Sequence, residues 1–348
     1  MITDTHLFQE ISDQPIVLRK LLEREKDNVG NLATKIKNSS IKYVVIAARG
    51  SSDNVGRYAK YLLGAQAGLS VALATPSLFT IYEQPPNLSD ALVLGISQSG
   101  QSPDIVSVLK EGRRQNALTL AITNDEKSLL ASEAKHCLYV HAGAEKSVAA
   151  TKTYTASLMA IAMLSVALSG SLEKEAELEA VPDAVEKTLS LYQNAKEAAI
   201  RWRFSNRCVV IGRGYNYATA FELALKLKEL SYLIAEPYSP ADLLHGPVAM
   251  VERDFPALVI GPRGATASNV RDLINELYRA GADTLIISDE EEIVRLGDMS
   301  LRLPASVPEW LSPITAVVAG QLFAMHLADV KKIDVDRPRG LTKVTRTH

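Results

Sequence analysis

Cysteine is scarce in this sequence, because the 348-residue chain has only Cys137 and Cys208. Two cysteines cannot build a disulfide framework or a cysteine-rich zinc site, and they are typical of a reducing compartment. The six histidines lack the HxxH and HExxH spacings of metal sites, and neither GxxxxGK[ST] nor GxGxxG occurs. The sequence therefore predicts no metal and no nucleotide cofactor.

An excess of charge of one sign is also missing. Lys and Arg number 38 and Asp and Glu number 40, which gives a net charge of −2. A nearly neutral chain lacks the basic patch of a nucleic-acid-binding protein, so no nucleic-acid partner is expected. The start of the chain has no basic segment followed by an apolar one, so no signal peptide is predicted.

Long apolar runs are few. The segment Ala156–Leu168 is shorter than the about 20 residues that span a bilayer. The segment Ile314–Val330 carries Gln321, His326 and Asp329. Both are predicted as buried helices of a cytoplasmic globular protein that does not enter a membrane.

The sequence contains an internal repeat. Three short apolar, β-rich runs recur 165 or 166 residues later, and each has the continuous burial typical of a strand in a parallel sheet. The three pairs are Val44–Ile46 with Val209–Ile211, Ala91–Gly95 with Ala257–Gly261, and Thr119–Thr123 with Thr284–Ser288.

Segments of helical length separate these runs, so strands and helices alternate. The sequence therefore predicts an α/β fold of two tandem, doubly wound, flavodoxin-like domains with parallel sheets. The predicted organisation is an N-terminal helical segment (1–24), a first domain (25–170), a helical connector (171–203), a second domain (204–330) and a C-terminal tail that closes the active site (331–348).

Two loops of the first repeat suit an anion. Gly50-Ser51-Ser52 follows the first strand, and Ser97-Gln98-Ser99-Gly100-Gln101-Ser102 follows the next repeated run and leads into a helix. Free N–H groups at a helix start, together with serine hydroxyls, can bind a phosphate. Ser99 or Ser102 could instead only cap the helix. The equivalent loop of the second repeat, Pro262–Thr266, lacks this serine cluster.

The second repeat carries candidate acid–base residues. Glu222, Lys226 and Glu229 lie at positions i, i+4 and i+7 of a mostly apolar helix, so they share one stripe. The stripe is either an ion-pair ladder on the surface or a set that holds a general base in a cleft. His245 precedes Gly246-Pro247 and is either a capping or core histidine or a functional one.

With these motifs the sequence resembles the sugar isomerase (SIS) family, and most of all the isomerase half of glucosamine-6-phosphate synthases. The resemblance runs from about residue 10 to the C-terminus. It is carried by Gly50–Ser52, Ser97–Ser102, Val148–Lys152, Ala224–Glu229, His245–Pro247 and Asp334–Lys343.

The resemblance implies roles for single residues. The residues implied to hold the sugar phosphate are Ser51, Ser52, Ser97, Gln98, Ser99 and Ser102. Those implied to line the sugar pocket are Gly50, Glu145, Val148, Ala150 and Thr151. The family carries serine where this chain has Ala150, so one hydroxyl contact to the sugar is missing.

The resemblance also implies a catalytic set. Glu229 moves the proton between C1 and C2, and Lys226 orients the sugar or Glu229. His245 assists ring opening and comes from the neighbouring subunit of a homodimer. Lys343 reaches the open-chain carbonyl from the tail.

The synthases have a preceding glutaminase domain with an N-terminal cysteine nucleophile, whereas this chain has no cysteine before Cys137. The expected reaction is therefore a deaminating isomerisation, in which glucosamine 6-phosphate and water give fructose 6-phosphate and ammonia. The alternatives are a fructosamine-6-phosphate deglycase and an aldose–ketose phosphate isomerase. A non-catalytic phosphosugar sensor is less favoured, because it would not need Glu229, His245 and Lys343 together.

Overall fold

The computed structural model describes residues 1–343, so the last five residues of the predicted tail, 344–348, lie outside the described residues. Within residues 1–343, ten strands form two parallel five-stranded sheets. In chain order they are β1 (Tyr43–Ala47), β2 (Ser70–Leu73), β3 (Ala91–Ser97), β4 (Leu118–Thr123), β5 (His136–Tyr139), β6 (Arg207–Gly212), β7 (Ile234–Tyr238), β8 (Pro256–Ile260), β9 (Asp283–Ser288) and β10 (Met299–Arg302).

Helices connect these strands. The α-helices are α1 (His6–Ser12), α2 (Gln14–Lys37), α3 (Ser51–Ala67), α4 (Ser77–Thr80), α5 (Pro103–Arg114), α6 (Leu129–Glu133), α7 (Lys152–Ser169), α8 (Leu172–Glu179), α9 (Val181–Thr188), α10 (Tyr192–Arg201), α11 (Tyr217–Ser231), α12 (Pro240–Leu244), α13 (Ala267–Ala280), α14 (Glu291–Val294) and α15 (Ser312–Val330). Short 3-10 helices cover Ile2–Asp4, Leu189–Leu191, Gly214–Asn216 and Pro247–Met250.

The chain divides into two compact units whose segments alternate along the sequence. Unit I comprises Ile16–Glu145 and Lys152–Glu179, together with Thr342 and Lys343. Unit II comprises Met1–Pro15, Lys146–Thr151 and Ala180–Leu341. The domain boundaries inferred from the sequence stay a prediction.

The sheet of unit I has the strand order β2-β1-β3-β4-β5. Val44 of β1 pairs with Leu92 of β3, and all seven residues of β3 are buried. Helices approach β3 closely at Gly95, where a Cβ atom would lie 2.6 Å from Leu109 and 2.9 Å from Leu130. The continuous apolar run of β3 therefore reflects a strand that is covered on both faces.

The sheet of unit II repeats this topology, with the order β7-β6-β8-β9-β10. Val209 of β6 pairs with Ala257 of β8, as Val44 pairs with Leu92 in unit I. The repeated apolar runs of the sequence lie in β1, β3 and β4 of one sheet and in β6, β8 and β9 of the other. The prediction of two doubly wound, parallel α/β domains is confirmed.

The two most apolar helices belong to the cores. α7 packs against α3 in unit I, and α15 packs against α10 and α11 in unit II. Each is long and apolar enough to span a membrane by composition, but 89% of each apolar window is buried inside the protein. The prediction that they are buried core helices is confirmed.

Helix α2 runs from Gln14 to Lys37 and so crosses residue 24, where the sequence places the start of the first domain. Its later turns carry apolar residues at helical spacing, and Val29, Leu32, Ala33 and Ile36 are all buried. Burial of this stripe stabilises the helix past the predicted boundary.

Candidate functional site

The two serine-rich loops follow neighbouring strands of unit I. β1 and β3 lie side by side, and the chain leaves them in opposite directions to β2 and to β4. Such a switch point opens a crevice at the carboxyl ends of the strands, where doubly wound folds bind ligands. Ser51 and Ser52 begin α3 at this edge, and Ser97–Ser102 lead into α5.

The loop after β3 is held by hydrogen bonds between its own serine hydroxyls and its backbone N–H groups. The Ser97 hydroxyl accepts the Gly100 N–H at 3.1 Å, and the Ser99 hydroxyl accepts the Gln101 N–H at 3.3 Å. Gly100 has φ +59°, and a Cβ atom there would lie 2.3 Å from the Ser128 hydroxyl, so only glycine fits.

Ser102 is the N-cap residue of α5, yet its hydroxyl makes no capping hydrogen bond. Helix capping therefore does not use the Ser102 side chain. The hydroxyl stands beside the first N–H groups of a 12-residue helix, where an anion is favoured.

An ion pair that the sequence did not indicate ties the two loops together. Arg49, which precedes Gly50, donates from Nε to Oδ2 of Asp104 at 2.6 Å. Asp104 lies in the first turn of α5 and is 1% exposed. Nearby, burial raises the pKa of Asp53, against the lowering effect of Arg57 and Arg49.

The chain tail reaches the pocket residue Glu145 within unit I. Lys343 donates from Nζ to Oε2 of Glu145 at 2.7 Å. The Glu145 side chain is fully buried, and it also accepts the N–H of Thr153 at 3.1 Å and its hydroxyl at 2.7 Å. The carboxylate therefore caps the first turn of α7 and pairs with the Lys343 ammonium at the same time.

Asn124 is a second residue that sequence reasoning missed. Its backbone N–H donates to the Gln98 carbonyl at 3.1 Å. Its side chain accepts the Ala142 N–H at 2.8 Å and donates to the Gly143 carbonyl at 2.7 Å. Asn124 thus joins the loop after β3 to the segment that leads into Glu145. The only signal in the sequence is its place directly after a buried strand.

The predicted acid–base stripe lies on α11 of unit II and is not a solvated ladder. The side chains of Glu222 and Lys226 are 0% and 1% exposed, whereas that of Glu229 is 23% exposed. Lys226 Nζ lies 2.5 Å from Glu229 Oε2 and 3.5 Å from Glu222 Oε1. One buried cation therefore holds two carboxylates, of which only Glu229 reaches solvent.

His245 lies at the end of α12 in unit II. Its backbone N–H donates to the Ala241 carbonyl, so it caps the helix through its main chain. Its side chain is on an exposed residue rather than in the core. The ring is therefore accessible to a substrate or to a second copy of the chain.

The structure distributes the predicted residues over both units. Unit I contains the six phosphate-loop residues, Gly50, Glu145 and Lys343, and unit II contains Lys226, Glu229 and His245. The pocket loop with Val148, Ala150 and Thr151 belongs to unit II, where the Glu10 carboxylate accepts the N–H groups of Lys146 and Ser147. Among residues 1–343, no group of three or more His, Cys, Asp or Glu is arranged to hold a metal ion.

Comparison with known proteins assigns the family. A profile of the SIS domain matches twice, at residues 39–167 and 203–330. The chain therefore belongs to the SIS family. It is 35% identical over 347 residues to a glutamine–fructose-6-phosphate aminotransferase (isomerizing) of Thermococcus kodakarensis. That match covers 97% of the chain but 57% of the relative, so the chain spans little more than half of that protein.

Solved structures agree with this assignment. A Silicibacter pomeroyi protein, provisionally named a phosphosugar isomerase, has a TM-score of 0.85 and 31% identity, over 95% of this chain and 100% of that one. The C-terminal domain of glucosamine-fructose-6-phosphate aminotransferase from Francisella tularensis has a TM-score of 0.88 and 26% identity. That match covers 96% of this chain and 98% of that one.

Proposed function

We propose that the chain is a phosphosugar isomerase that deaminates glucosamine 6-phosphate in the cytoplasm. Glucosamine 6-phosphate and water give fructose 6-phosphate and ammonia. The observation that carries the proposal is the α11 triad of Glu222, Lys226 and Glu229, in which fully buried Lys226 pairs with a Glu229 that stays accessible. A positioned carboxylate of this kind suits proton transfer between adjacent carbons.

In the proposed mechanism Glu229 takes the proton from C2 of the open-chain amino sugar and returns it to C1. The C1 aldehyde becomes an alcohol and C2 becomes an imine. Water then adds to the imine carbon, and ammonia leaves. Lys226 orients Glu229 for the first step, because its ammonium lies 2.5 Å from the carboxylate.

The loops of unit I supply the proposed phosphate site. Backbone N–H groups at the starts of α3 and α5, together with the serine hydroxyls, would bind the phosphate without a basic side chain. Lys343 would bind the open-chain oxygen at C1. Its contact with buried Glu145 supports this role, because it holds a tail residue at the predicted pocket wall.

The test is ammonia release from glucosamine 6-phosphate by the purified chain, with Glu229→Gln as the variant and exposed Glu236→Gln as the control on the same unit. Release needs only water, whereas the reverse reaction needs added ammonia. We expect Glu229→Gln to lose at least about 100-fold in rate and Glu236→Gln to keep it. Activity retained by Glu229→Gln would show that Glu229 is not the base.

Two further substrates separate the alternatives. A wild-type chain that releases no ammonia but converts a fructosamine 6-phosphate to glucose 6-phosphate is a deglycase. One that only interconverts an aldose phosphate and a ketose phosphate is a plain isomerase. Ala150 makes this comparison of substrates necessary, since the serine hydroxyl of the synthases is missing from this pocket loop.

We also propose a homodimer in which His245 acts on the substrate of the neighbouring subunit, consistent with its exposed position. Inactive His245→Ala and Glu229→Gln chains, mixed after mild dissociation, would test this. A mixed dimer has one site with both residues intact, so about a quarter of wild-type activity is expected to return. No return of activity would contradict a shared site.

A further inference from the structure

The tail that carries Lys343 makes hydrogen bonds to unit II at two places before it reaches that lysine. Asp336 accepts the backbone N–H groups of His6 and Leu7 at 2.8 and 2.9 Å, in the first turn of α1. Three residues later, the Arg339 N–H donates to the Tyr232 hydroxyl at 2.6 Å. The Arg339 guanidinium also lies 4.7 Å from the centre of the Tyr232 ring.

Tyr232 has an unusual backbone for a residue with a large side chain. It terminates α11 with φ +54° and ψ +25°, a left-handed conformation in which glycine or asparagine is the favoured residue. Its N–H donates to the Leu227 carbonyl, as a helix C-cap does. A tyrosine in this strained position places its ring and hydroxyl against the tail, only three residues after Glu229 on the same helix.

We propose that Tyr232 is a positioning residue for Lys343, a role that rests on the proposed function of Lys343. Because Arg339 is four residues before Lys343, a tail fixed at Arg339 keeps Lys343 within about 14 Å of that residue. Without that contact the preceding fixed point is buried Pro338, five residues before Lys343, and the reach grows to about 18 Å. The accessible volume grows about twofold, and the local concentration of the ammonium falls in proportion.

Tyr232→Phe is the sharpest variant, because it removes the hydroxyl and keeps the ring over which Arg339 lies. We expect kcat for ammonia release to fall by about twofold at most, with KM and the affinity for inorganic phosphate unchanged. Tyr232→Ala, which also removes the ring, is expected to lose more. The matched control is Tyr278→Phe, whose side chain belongs to unit II and is 76% exposed.

Trypsin provides a readout that needs no substrate. Arg337 precedes proline and resists cleavage, whereas the bond after Arg339 is cleavable and its cleavage separates Lys343 from the rest of the chain. Since Arg339 is held by Tyr232, mass spectrometry should show faster cleavage there in Tyr232→Phe than in wild type or Tyr278→Phe.

The two readouts separate the failures. A Tyr232→Phe chain that is cut no faster than wild type would overturn the anchoring role. Faster cleavage with unchanged kcat would show an anchor that does not position Lys343, and would equally overturn the proposal. Faster cleavage in a chain whose wild type turns over no sugar phosphate would overturn the proposed function and, with it, any catalytic purpose of the anchor.

Discussion

The two repeats share a topology, but the loop after their central strand has different hydrogen-bond partners in each. After β3 the Ser102 hydroxyl makes no capping bond at the start of α5. After β8 the Glu309 carboxylate accepts the Ala265 N–H at 2.7 Å and the Thr266 hydroxyl at 2.6 Å. Gly264 makes room for it, since a Cβ atom there would lie 2.3 Å from the Glu309 carboxylate. In the first repeat neutral hydroxyls lie at the helix start. In the second repeat the Glu309 carboxylate, an anion of the chain itself, accepts the donors there.

The helix after the first strand also differs between the repeats, but here the second repeat carries the candidate functional residues. With the 165-residue offset, Glu222 and Lys226 of α11 correspond to Arg57 and Tyr61 of α3. Arg57 pairs with Asp53 near the surface and Tyr61 is 42% exposed, whereas the α11 pair is buried. Duplication therefore preserved the fold, while the candidate phosphate loops and the candidate acid–base residues ended in different copies.

The largest effect is expected from removing the buried cation of the second repeat. Lys226→Met removes the buried cation that pairs with fully buried Glu222, which costs about 3–5 kcal/mol of unfolding free energy. Exposed Lys60→Met on α3 is expected to cost less than about 0.5 kcal/mol. Urea unfolding measures both free energies. Equal losses would mean that burial of the α11 triad does not distinguish the repeats.

Removing hydroxyls from the first repeat should weaken ligand binding. Ser99→Ala with Ser102→Ala would remove two of the proposed hydrogen bonds to the charged phosphate, each worth about 1.5–3 kcal/mol, so we expect affinity for glucosamine 6-phosphate to fall about 100-fold or more. Ser268→Ala, at an exposed position in the first turn of α13, is the control from the second repeat. Calorimetric titration checks the affinity. An unchanged value for the double variant would remove the phosphate assignment.

Removing the internal anion of the second repeat should lower stability instead. Glu309→Ala leaves the donors of Ala265 and Thr266 to water, and we expect a loss of about 1–2 kcal/mol in unfolding free energy. Glu292→Ala, whose ion pair with Arg271 is 3.4 Å long and exposed, is expected to lose less than about 1 kcal/mol.

A spectroscopic readout identifies the cause of that loss. Burial raises the pKa of Tyr215, and the charge of Glu309 raises it further. Glu309→Gln keeps an acceptor oxygen but removes the charge, so the pKa of Tyr215 should fall in an ultraviolet titration. An unchanged Tyr215 pKa in Glu309→Gln would show that the charge of Glu309 does not raise it.

Local patterns in the sequence were sufficient for the fold and for one part of the site. The offset of 165 or 166 residues between the apolar runs predicted two domains of one fold, and the helical spacing of Lys226 and Glu229 predicted that they share one stripe. Pairs distant in sequence left no such signal. Lys343 and Glu145 are 198 residues apart, and Glu309 lies 43 residues from Thr266. Periodicity reports which face of an element is buried, but it does not report which distant side chain completes a polar site.

At neutral pH the smallest effect concerns the two core helices, because it should appear only in acid. α15 carries His326 in the core of unit II, 0% exposed, with its ring 4.4 Å from that of Tyr192. Burial lowers the pKa of His326 to about 4, and nearby Lys196 lowers it while Asp329 raises it. Among the residues of α7 no histidine occurs.

Because an unfolded histidine has a pKa of about 6.5, the unfolded state binds the proton first as the pH falls. Stability should therefore be unaffected by His326 above about pH 6.5, decline below it, and reach its full loss below about pH 4. Thermal unfolding from pH 7 to pH 5 is expected to show a Tm decline of a few degrees that His326→Gln reduces. An identical decline in His326→Gln would assign the acid sensitivity to other groups, and the two core helices would then not differ in this respect.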